Sequence, residues 1–372
     1  MWLAAKSSKK NKNIMSSKSS VALLISGGVD SAVALKRLVE QGFEPDLFYI
    51  AIGPEHDFAG YDCKMEEDID LCKIIAKRFG LKFEIIPLHN EYWQMVVQYH
   101  VETLKLGRTP NPDLLCNQLI KFGAFEEKVG FKYDYVATGH YASIKELENG
   151  RFLHTAKDKV KDQTYFLAML SQMQLKKLLF PIGDITKSEV RKIATENDFP
   201  NATRKDSQGI CFIGRNNYSD FVEHLLGKKK GDFIEINTGK KIGEHDGHWF
   251  YTVGQRKGLG LSGGPWFVIK KNIEENIVFI ANGYEPKEVY GDKLFINNPN
   301  ILFPISFEEN QAMDVTMKIR HTPTFSKAKI IKNKSGFSVQ TEDLQHGIAP
   351  GQFAVVYDEN MEFVLVAGEM DI

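Results

Sequence analysis

The hydrophobic positions of this chain follow two different periods. From Val21 the apolar run VALLI leads into polar, glycine-bearing SGGVDS and then into AVALKRLVEQG, whose apolar residues recur at helical spacing up to Gly42. This predicts a short buried strand, a tight loop and an amphipathic helix. The alternation continues. LFYIAI reads as a strand, EEDIDLCKIIAKRFG as a helix with Ile69, Cys72, Ile75 and Phe79 on one face, FEIIPL as a strand, and YVATGHY as a strand running into a loop. Strands alternating with helices imply a parallel sheet covered on both sides, so the first half is expected to be a doubly wound α/β domain. DITKSEVRKIATEN adds one more helix, with Thr186 and Glu189 at capping-box spacing.

Near Cys211 the period changes. HWFYTV, WFVIKK, NIVFIAN, DVTMKIRH, AKIIKN, GFSVQT and QFAVVYD are short, aromatic or β-branched, and separated by Gly, Asn and Asp. They predict strands. The expected organisation is a disordered basic tail over 1–20, an α/β catalytic domain over 21–214, a small β-rich module over 215–290 and a C-terminal β-barrel over 291–372. The tail, MWLAAKSSKKNKNIMSSKSS, holds five lysines and no acid, a composition that buries too little to fold. Met15 is a second candidate start.

Composition narrows the function classes. The 372 residues allow two or three domains, and a formal charge of -1 supplies no global field for a polyanion. Any nucleic-acid site must therefore be a local patch. No apolar run approaches the roughly 20 residues that span a bilayer, so no membrane partner is expected. Cys63, Cys72, Cys116 and Cys211 form no CxxC pair and have no paired His spacing. That argues against a structural zinc and a disulfide framework and points to a reducing, cytoplasmic setting.

Ser26, Gly27, Gly28, Val29, Asp30 and Ser31 lie between a strand and a helix, where backbone N–H groups and a helix N-terminus suit an anion. The loop lacks the GK[ST] ending and the GxGxxG spacing of other nucleotide folds. It resembles the pyrophosphatase loop of the ATP-pyrophosphatases, which cleave ATP between the α and β phosphates to adenylate an oxygen. The resemblance gives Ser26, Gly27, Gly28, Val29 and Ser31 to phosphate contacts, Asp30 to the metal and pyrophosphate, and Leu24 and Ile25 to nucleotide binding beside them. ATP would then arrive with Mg²⁺, a hard cation suited to phosphate oxygens.

GRTPNPDLLCNQ carries a second candidate site. Asn111 suits the N-cap and Pro112 the first helical position, with Leu115, Leu119 and Phe122 as an apolar stripe. Asp113 and Cys116 then share a face. The helix N-terminus favours the thiolate, while the carboxylate opposes ionisation and is placed to exchange a proton with it. Cys211, in RKDSQGICFIG, taken alone reads as a buried thiol more often than a reactive one. Cys72 is assigned to the core and Cys63 to a polar loop.

Taken in order, SGGVDS, GRTPNPDLLCN, ATGHYA, KDQTYFL, DSQGICFIG and YTVGQRKGLG resemble the tRNA-specific 2-thiouridylases over nearly the whole chain from Val21. The resemblance implies that ATP adenylates the C2 oxygen of the wobble uridine and that a persulfide on Cys211 delivers sulfur. Cys116 becomes the partner nucleophile able to form a disulfide with Cys211, and Asp113 the acid/base. Asn111, Pro112 and Asp113 would meet the target base. His140, Lys161, Asp162, Gln163, Arg320, His321 and Gln352 would contact tRNA, and Ile50 and Gly139 the nucleotide. The implied partners are the anticodon loop of tRNAs for Lys, Glu and Gln and an upstream sulfur-donating protein. Two positions depart from the family pattern: Ile50 stands where methionine is usual, and Gly209 where glutamate is commoner.

Basic clusters at Arg256 and Lys257, at 228–230, and at Lys318 with Arg320 are further candidates for phosphate contact, although a charge run is ordinarily a solvated face. Two rival functions fit parts of the pattern. Another ATP-pyrophosphatase, an amidating or tRNA-modifying enzyme, would need no cysteine pair. A non-catalytic, ATP-dependent RNA-binding protein would bind tRNA and release no pyrophosphate.

Overall fold

A computed structural model describes residues 19–53, 65–206, 218–284, 286–305 and 308–372. The basic tail up to residue 18, Cys63 and Cys211 lie outside the described residues. The first half is built on strands β1 (Val21–Leu24), β2 (Asp46–Ala51), β3 (Phe83–Pro87) and β4 (Tyr135–Thr138), with a two-residue strand Leu178–Leu179 at one edge. All pair in parallel, in the order β3, β2, β1, β4, Leu178–Leu179. The doubly wound α/β expectation is met.

Strand alternation decides which face each residue serves. Val21 and Leu23 pack with Leu35 and Leu38 of helix α1 (Val29–Glu40), with Cys72 and Ile75 of helix α2 (Met65–Phe79), and with Val190 and Ala194. Ala22 and Leu24 face the opposite way, onto Tyr92, Val96, Ile120 and Phe125. Each Val, Leu, Ile or Phe side chain so enclosed contributes about 1.5–3 kcal/mol. Cys72 is fully buried, and burial pushes its thiol up to about 12, as fits a core residue.

The second cluster does not stop at the α/β unit. Phe353, Val355, Tyr357, Val364 and Ala367 belong to it as well, and these residues lie in a closed antiparallel six-strand barrel. Around the barrel the order is Tyr290–Ile301, Gly336–His346, Ser326–Lys332, Ala312–Lys318, Phe353–Tyr357 and Val364–Asp371. Between the two units, strands Trp266–Asn272, Ile277–Asn282, Gly231–Glu235 and Lys241–His245 form a four-stranded sheet around Phe233, Val268, Val278 and Ile280.

Two sequence expectations fail here. HWFYTV is not a strand: His248–Phe250 is a 3₁₀ turn. It begins at Gly247, whose φ is 147°, and His248 donates its N–H to Asn276 Oδ1 at 3.1 Å, so the local turn replaces a ladder. Lys318, a candidate for phosphate contact, is not at the surface. It is only 3% exposed and lies over the rings of Phe325 (4.0 Å) and Tyr357 (5.8 Å), which make a cation–π site in place of a phosphate contact.

Candidate active site

In an open parallel sheet the crevice lies beyond the strand ends where the order reverses. Here that point is between β1 and β4. The β1 strand delivers the SGGVDS loop and β4 delivers Gly139. A Cβ on Gly139 would lie 2.7 Å from the Ser31 nitrogen and 2.8 Å from the Asp30 carbonyl carbon, so only glycine lets the two strand ends meet. Gly27 sits at φ +68°, and its missing Cβ makes room for the Asp68 backbone at 2.9 Å. Ser31 folds back: its hydroxyl donates to Gly28 O at 3.0 Å and accepts from Ser26 N at 3.3 Å. Gly28, the N-cap of α1, carries no side-chain cap. The first turn therefore keeps its N–H groups for an anion.

Ile25 and Leu24 are buried beneath the loop, and Ile50 is half-buried in register with Ile86 on β3. Asp30 is half-buried. Its Oδ1 accepts from Tyr141 Oη and Lys187 Nζ, and its Oδ2 from Lys187 Nζ, all at 2.8 Å. Burial, then the nearby Asp30 charge, pushes the Tyr141 phenol well up, so it stays a donor. Among the described residues no three His, Cys, Asp or Glu side chains gather to hold a metal. The donor set nonetheless suits Mg²⁺ that comes with a nucleotide, because Mg²⁺ keeps most of its waters and takes one or two carboxylates plus phosphates. Asp30, whose oxygens are engaged by Lys187 and Tyr141, would be the carboxylate to serve it.

The second half of the site begins at Pro112–Leu115, one α-turn that continues as a π-helical stretch Cys116–Ala124. The wider winding changes the buried stripe. Leu114, Cys116, Asn117, Ile120 and Phe122 point inward, while Leu115 and Leu119 are only half-buried. The expected stripe of Leu115, Leu119 and Phe122 assumed a 3.6-residue turn and is corrected accordingly. Gln174 Nε2 supports the π-turn by donating to Gln118 O (2.8 Å) and Phe122 O (2.9 Å).

Asn111 precedes the helix, as expected, but makes no side-chain cap. Its Nδ2 donates instead to Gln352 Oε1 at 3.3 Å, and Gln352 Nε2 donates to Pro110 O at 2.9 Å. The barrel therefore holds this segment. Thr109 N donates to Pro350 O at 2.8 Å, and Arg108 pairs with Glu369 and with Asp371 (2.9 Å). Gly351, at φ +90°, lets the backbones touch, since its Cβ would lie 2.8 Å from Arg108 Cβ.

Cys116 is 6% exposed. Burial raises the Asp113 carboxyl above its ordinary range, with the charges of Lys121 and His321 pulling the other way. Burial, then the Lys121 charge, lowers His140 well below its usual value, so its imidazole is neutral. Its Nδ1 lies 2.8 Å from Thr138 Oγ1. The Lys121 charge acts on both Asp113 and His140. The two segments also approach in space, since the ring of Phe122, on the stretch after Cys116, lies 6.3 Å from that of His140, the residue after Gly139.

The remaining candidates are held internally to differing extents. Asp162 is 2% exposed, and its carboxylate accepts from Ala156 N (2.7 Å) and Thr164 Oγ1 (2.5 Å). Gln163 Oε1 accepts from Tyr141 N at 2.9 Å. The exposed His321 sets its Nε2 2.9 Å from Asp162 O and lies against the Phe166 ring. Arg320 is exposed and donates to His346 O and Gly347 O. Lys161 pairs with Asp206 at 2.8 Å. Sequence reasoning missed Lys121, Lys187 and Asp206. The available signals were a lysine five positions after Cys116, a lysine directly after the Thr186 cap, and an acid five positions before Cys211.

Family comparisons agree with this layout. A model described as "tRNA methyl transferase HUP domain" matches residues 19–215, "tRNA methyl transferase PRC-barrel domain" matches 219–282, and "Aminomethyltransferase beta-barrel domain" matches 292–364. A 4-thiouridine synthetase in complex with RNA and ATP aligns over 56% of this chain and 50% of its own at 15% identity, with a TM-score of 0.33, too low to argue from. The domain titles speak of methyl transfer, whereas relatives matching end to end carry another name. The tRNA-specific 2-thiouridylase MnmA of Porphyromonas gingivalis is 52% identical over 345 residues, covering 91% of this chain and 96% of that protein. The tRNA-specific 2-thiouridylase MnmA 1 of Bacteroides thetaiotaomicron is 50% identical over 353 residues, covering 94% and 99%. The Parabacteroides distasonis enzyme of the same name is 49% identical over 349 residues, covering 94% and 98%. With half of its residues shared across nearly its full length, this chain belongs to the tRNA-specific 2-thiouridylase family.

Proposed function

We propose that this protein uses ATP to convert the wobble uridine of tRNA into 2-thiouridine, with AMP and diphosphate as products. The observation that supports this reading is the approach of the two segments: Gly139 closes on the Asp30–Ser31 turn, and the next residue, His140, lies 6.3 Å ring to ring from Phe122 on the stretch that follows Cys116. A carbonyl oxygen leaves poorly and AMP leaves well, so adenylation and sulfur attack need adjoining sites.

In this reading the ATP loop, from Leu24 to Ser31 with Ile50 and Gly139, holds the nucleotide, and uncapped N–H groups receive its phosphates. Asp30 would be the protein ligand of Mg²⁺ arriving with ATP, whose charge would offset that of the phosphates. The C2 oxygen of uridine attacks the α-phosphorus and diphosphate leaves. The terminal sulfur of a Cys211 persulfide then bonds to C2 as the C2–O bond breaks and AMP departs. The Cys116 thiolate attacks Cys211 Sγ, forming the Cys116–Cys211 disulfide and leaving the sulfur on the base. If Cys116 acts first, the same disulfide forms and hydrosulfide attacks C2. Asp113, with its raised carboxyl, accepts and returns the proton. A two-electron reductant must reopen the disulfide before the next turnover.

Asn111, Pro112 and Asp113 receive a base taken out of its stack, which suits an anticodon loop better than a duplex. Lys161, Arg320 and His321 meet the tRNA backbone, while Asp162, Gln163 and Gln352 act by holding their segments in place. We assign nucleotide chemistry to 21–214, the linking β module to 215–290 and the clamp on residues 108–111 to 291–372. The tRNAs are those for Lys, Glu and Gln, an upstream protein supplies the persulfide sulfur, and the setting is the cytoplasm. No helix among the described residues is long and apolar enough to cross a membrane.

The test is a transfer assay with ATP, Mg²⁺, a persulfide source and tRNA, read by nucleoside mass spectrometry. The expected product is 2-thiouridine at the wobble position. Diphosphate without 2-thiouridine would leave only the ATP reaction and sink the thiouridylase reading, as would the formation of neither product.

A further inference from the structure

Three basic side chains converge on one carboxylate that the reaction above leaves unused. Asp206 Oδ2 accepts from Lys161 Nζ at 2.8 Å, and Asp206 Oδ1 from Lys187 Nζ and Arg191 Nη2, both at 2.7 Å. Lys187 is only 14% exposed. It reaches Asp206 on one side and both oxygens of Asp30 on the other. One ammonium thus joins the ATP loop to the residue five positions before Cys211.

The chain leading to Asp206 is bound to the same loop. Asn201 Nδ2 donates to Gly27 O at 2.8 Å, and Arg204 Nη1 donates to the same oxygen at 3.3 Å while pairing with Asp68 at 2.5 Å. Arg191 Nη1 donates to Ala202 O at 2.7 Å. Backbone contacts tie in the third partner: Asp158 accepts from Lys187 N (2.9 Å) and from Lys161 N (3.1 Å). Burial pushes the Asp206 carboxyl up, yet the hydrogen bonds from Lys161 and Lys187 outweigh it and bring the group to about 2. Asp206 is therefore ionised throughout the physiological range.

Building on the thiouridylase reading, we propose that Asp206 is a positioning residue for the sulfur step: through Lys187 it ties the start of the Cys211 segment to the ATP loop. Each pair is partly solvated and weak alone. Their directions differ, so three charge-assisted contacts on one carboxylate fix a point in space. Phosphates arriving at the loop compete with Asp30 for Lys187, and the partner that Lys187 keeps is Asp206. ATP occupancy and sulfur placement then share one cation. Removing the Asp206 charge leaves Lys161, Lys187 and Arg191 facing each other without their common partner.

The experiment compares wild type, Asp206→Asn and Asp206→Glu, each pre-loaded with persulfide, in single turnover with tRNA and Mg·ATP. Rates of diphosphate release and of 2-thiouridine formation are measured together. For Asp206→Asn, diphosphate release should stay within about fivefold of wild type, as loss of partly solvated pairs allows. Thiouridine formation should fall roughly a hundredfold, as a misplacement of about 1 Å costs. Asp206→Glu should recover part of the lost rate, because it keeps the charge. Parallel loss of both rates, or an unchanged ratio between them, would overturn the proposal. Should Asp206→Asn not fold, Arg191→Gln is read for the same ratio, where no change counts against it. Wild type yielding diphosphate but no 2-thiouridine would sink the thiouridylase reading first, and this inference with it.

Discussion

The ATP loop and the Cys116 segment both run from a glycine-bearing turn into a helix, but they are held in place by opposite means. The loop is fixed from within its own domain: Gly139 against Ser31, Ser31 onto Gly28, and Asn201 onto Gly27. The Cys116 segment is fixed from outside, by Gly351, Gln352 and the Arg108 pairs to the barrel. A binding loop built this way can work in any domain that supplies the sheet. The Cys116 half is held by a barrel that sits far away in sequence.

The largest effects should come from the thiols. Cys116→Ser and Cys211→Ser should each lower 2-thiouridine formation at least about a thousandfold, because a nucleophile is removed outright. ATP binding, followed by calorimetry, should be unchanged. Loss of ATP binding in either variant would erase the division between the halves.

Next come the two glycines. Gly139→Val drives a side chain into Ser31 and should abolish ATP binding. Gly351→Val, strained at φ +90° and placed against Arg108, should spare ATP binding while lowering thiouridine formation about a hundredfold. Equal damage to ATP binding by both would show that the two halves are not separately held.

Acid should loosen the externally held half. His100 is 1% exposed, with Nε2 2.8 Å from Tyr218 Oη, on the helix Gln98–Lys105 that leads into Arg108. Burial lowers its imidazole to about 4, below the unfolded value of about 6.5. The fold therefore favours the neutral ring. The associated stability is complete above about pH 6.5 and is lost as pH falls towards 4, a change on the order of 3 kcal/mol. Denaturant titrations across that window should show the decline, and His100→Phe should flatten it; an equally steep decline in the variant would assign it elsewhere. The smallest effect is expected from Arg108→Met. Its pairs are about one-third solvated, so the loss should be ~0.5–1 kcal/mol and should shrink at high salt. A salt-independent loss would point to packing instead.

These contrasts also mark what the sequence could reveal. The α/β half was legible because alternation and a capping box are local: Thr186 and Glu189 form both expected hydrogen bonds, and the β1 loop sits where the pattern put it. Strands Gly231–Glu235 and Lys241–His245, which pair with each other, and Tyr290–Ile301 and Val364–Asp371 went unrecognised, because charged, glycine- or proline-bearing positions within them blur the alternation that marks a strand. The π-turn after Leu115 was equally invisible, since its extra residue is stabilised by Gln174, far along the chain. Candidate site residues were found wherever motif and backbone coincided. Lys187 and Asp206 were missed because their importance lies in a meeting of three segments, and no window of sequence contains it.

The most direct test of the account is a single turnover with persulfide-loaded protein, ATP, Mg²⁺ and tRNA without external reductant, followed by peptide mass spectrometry. The prediction is one Cys116–Cys211 disulfide for each 2-thiouridine formed. Formation of 2-thiouridine with Cys116 still a thiol would contradict it.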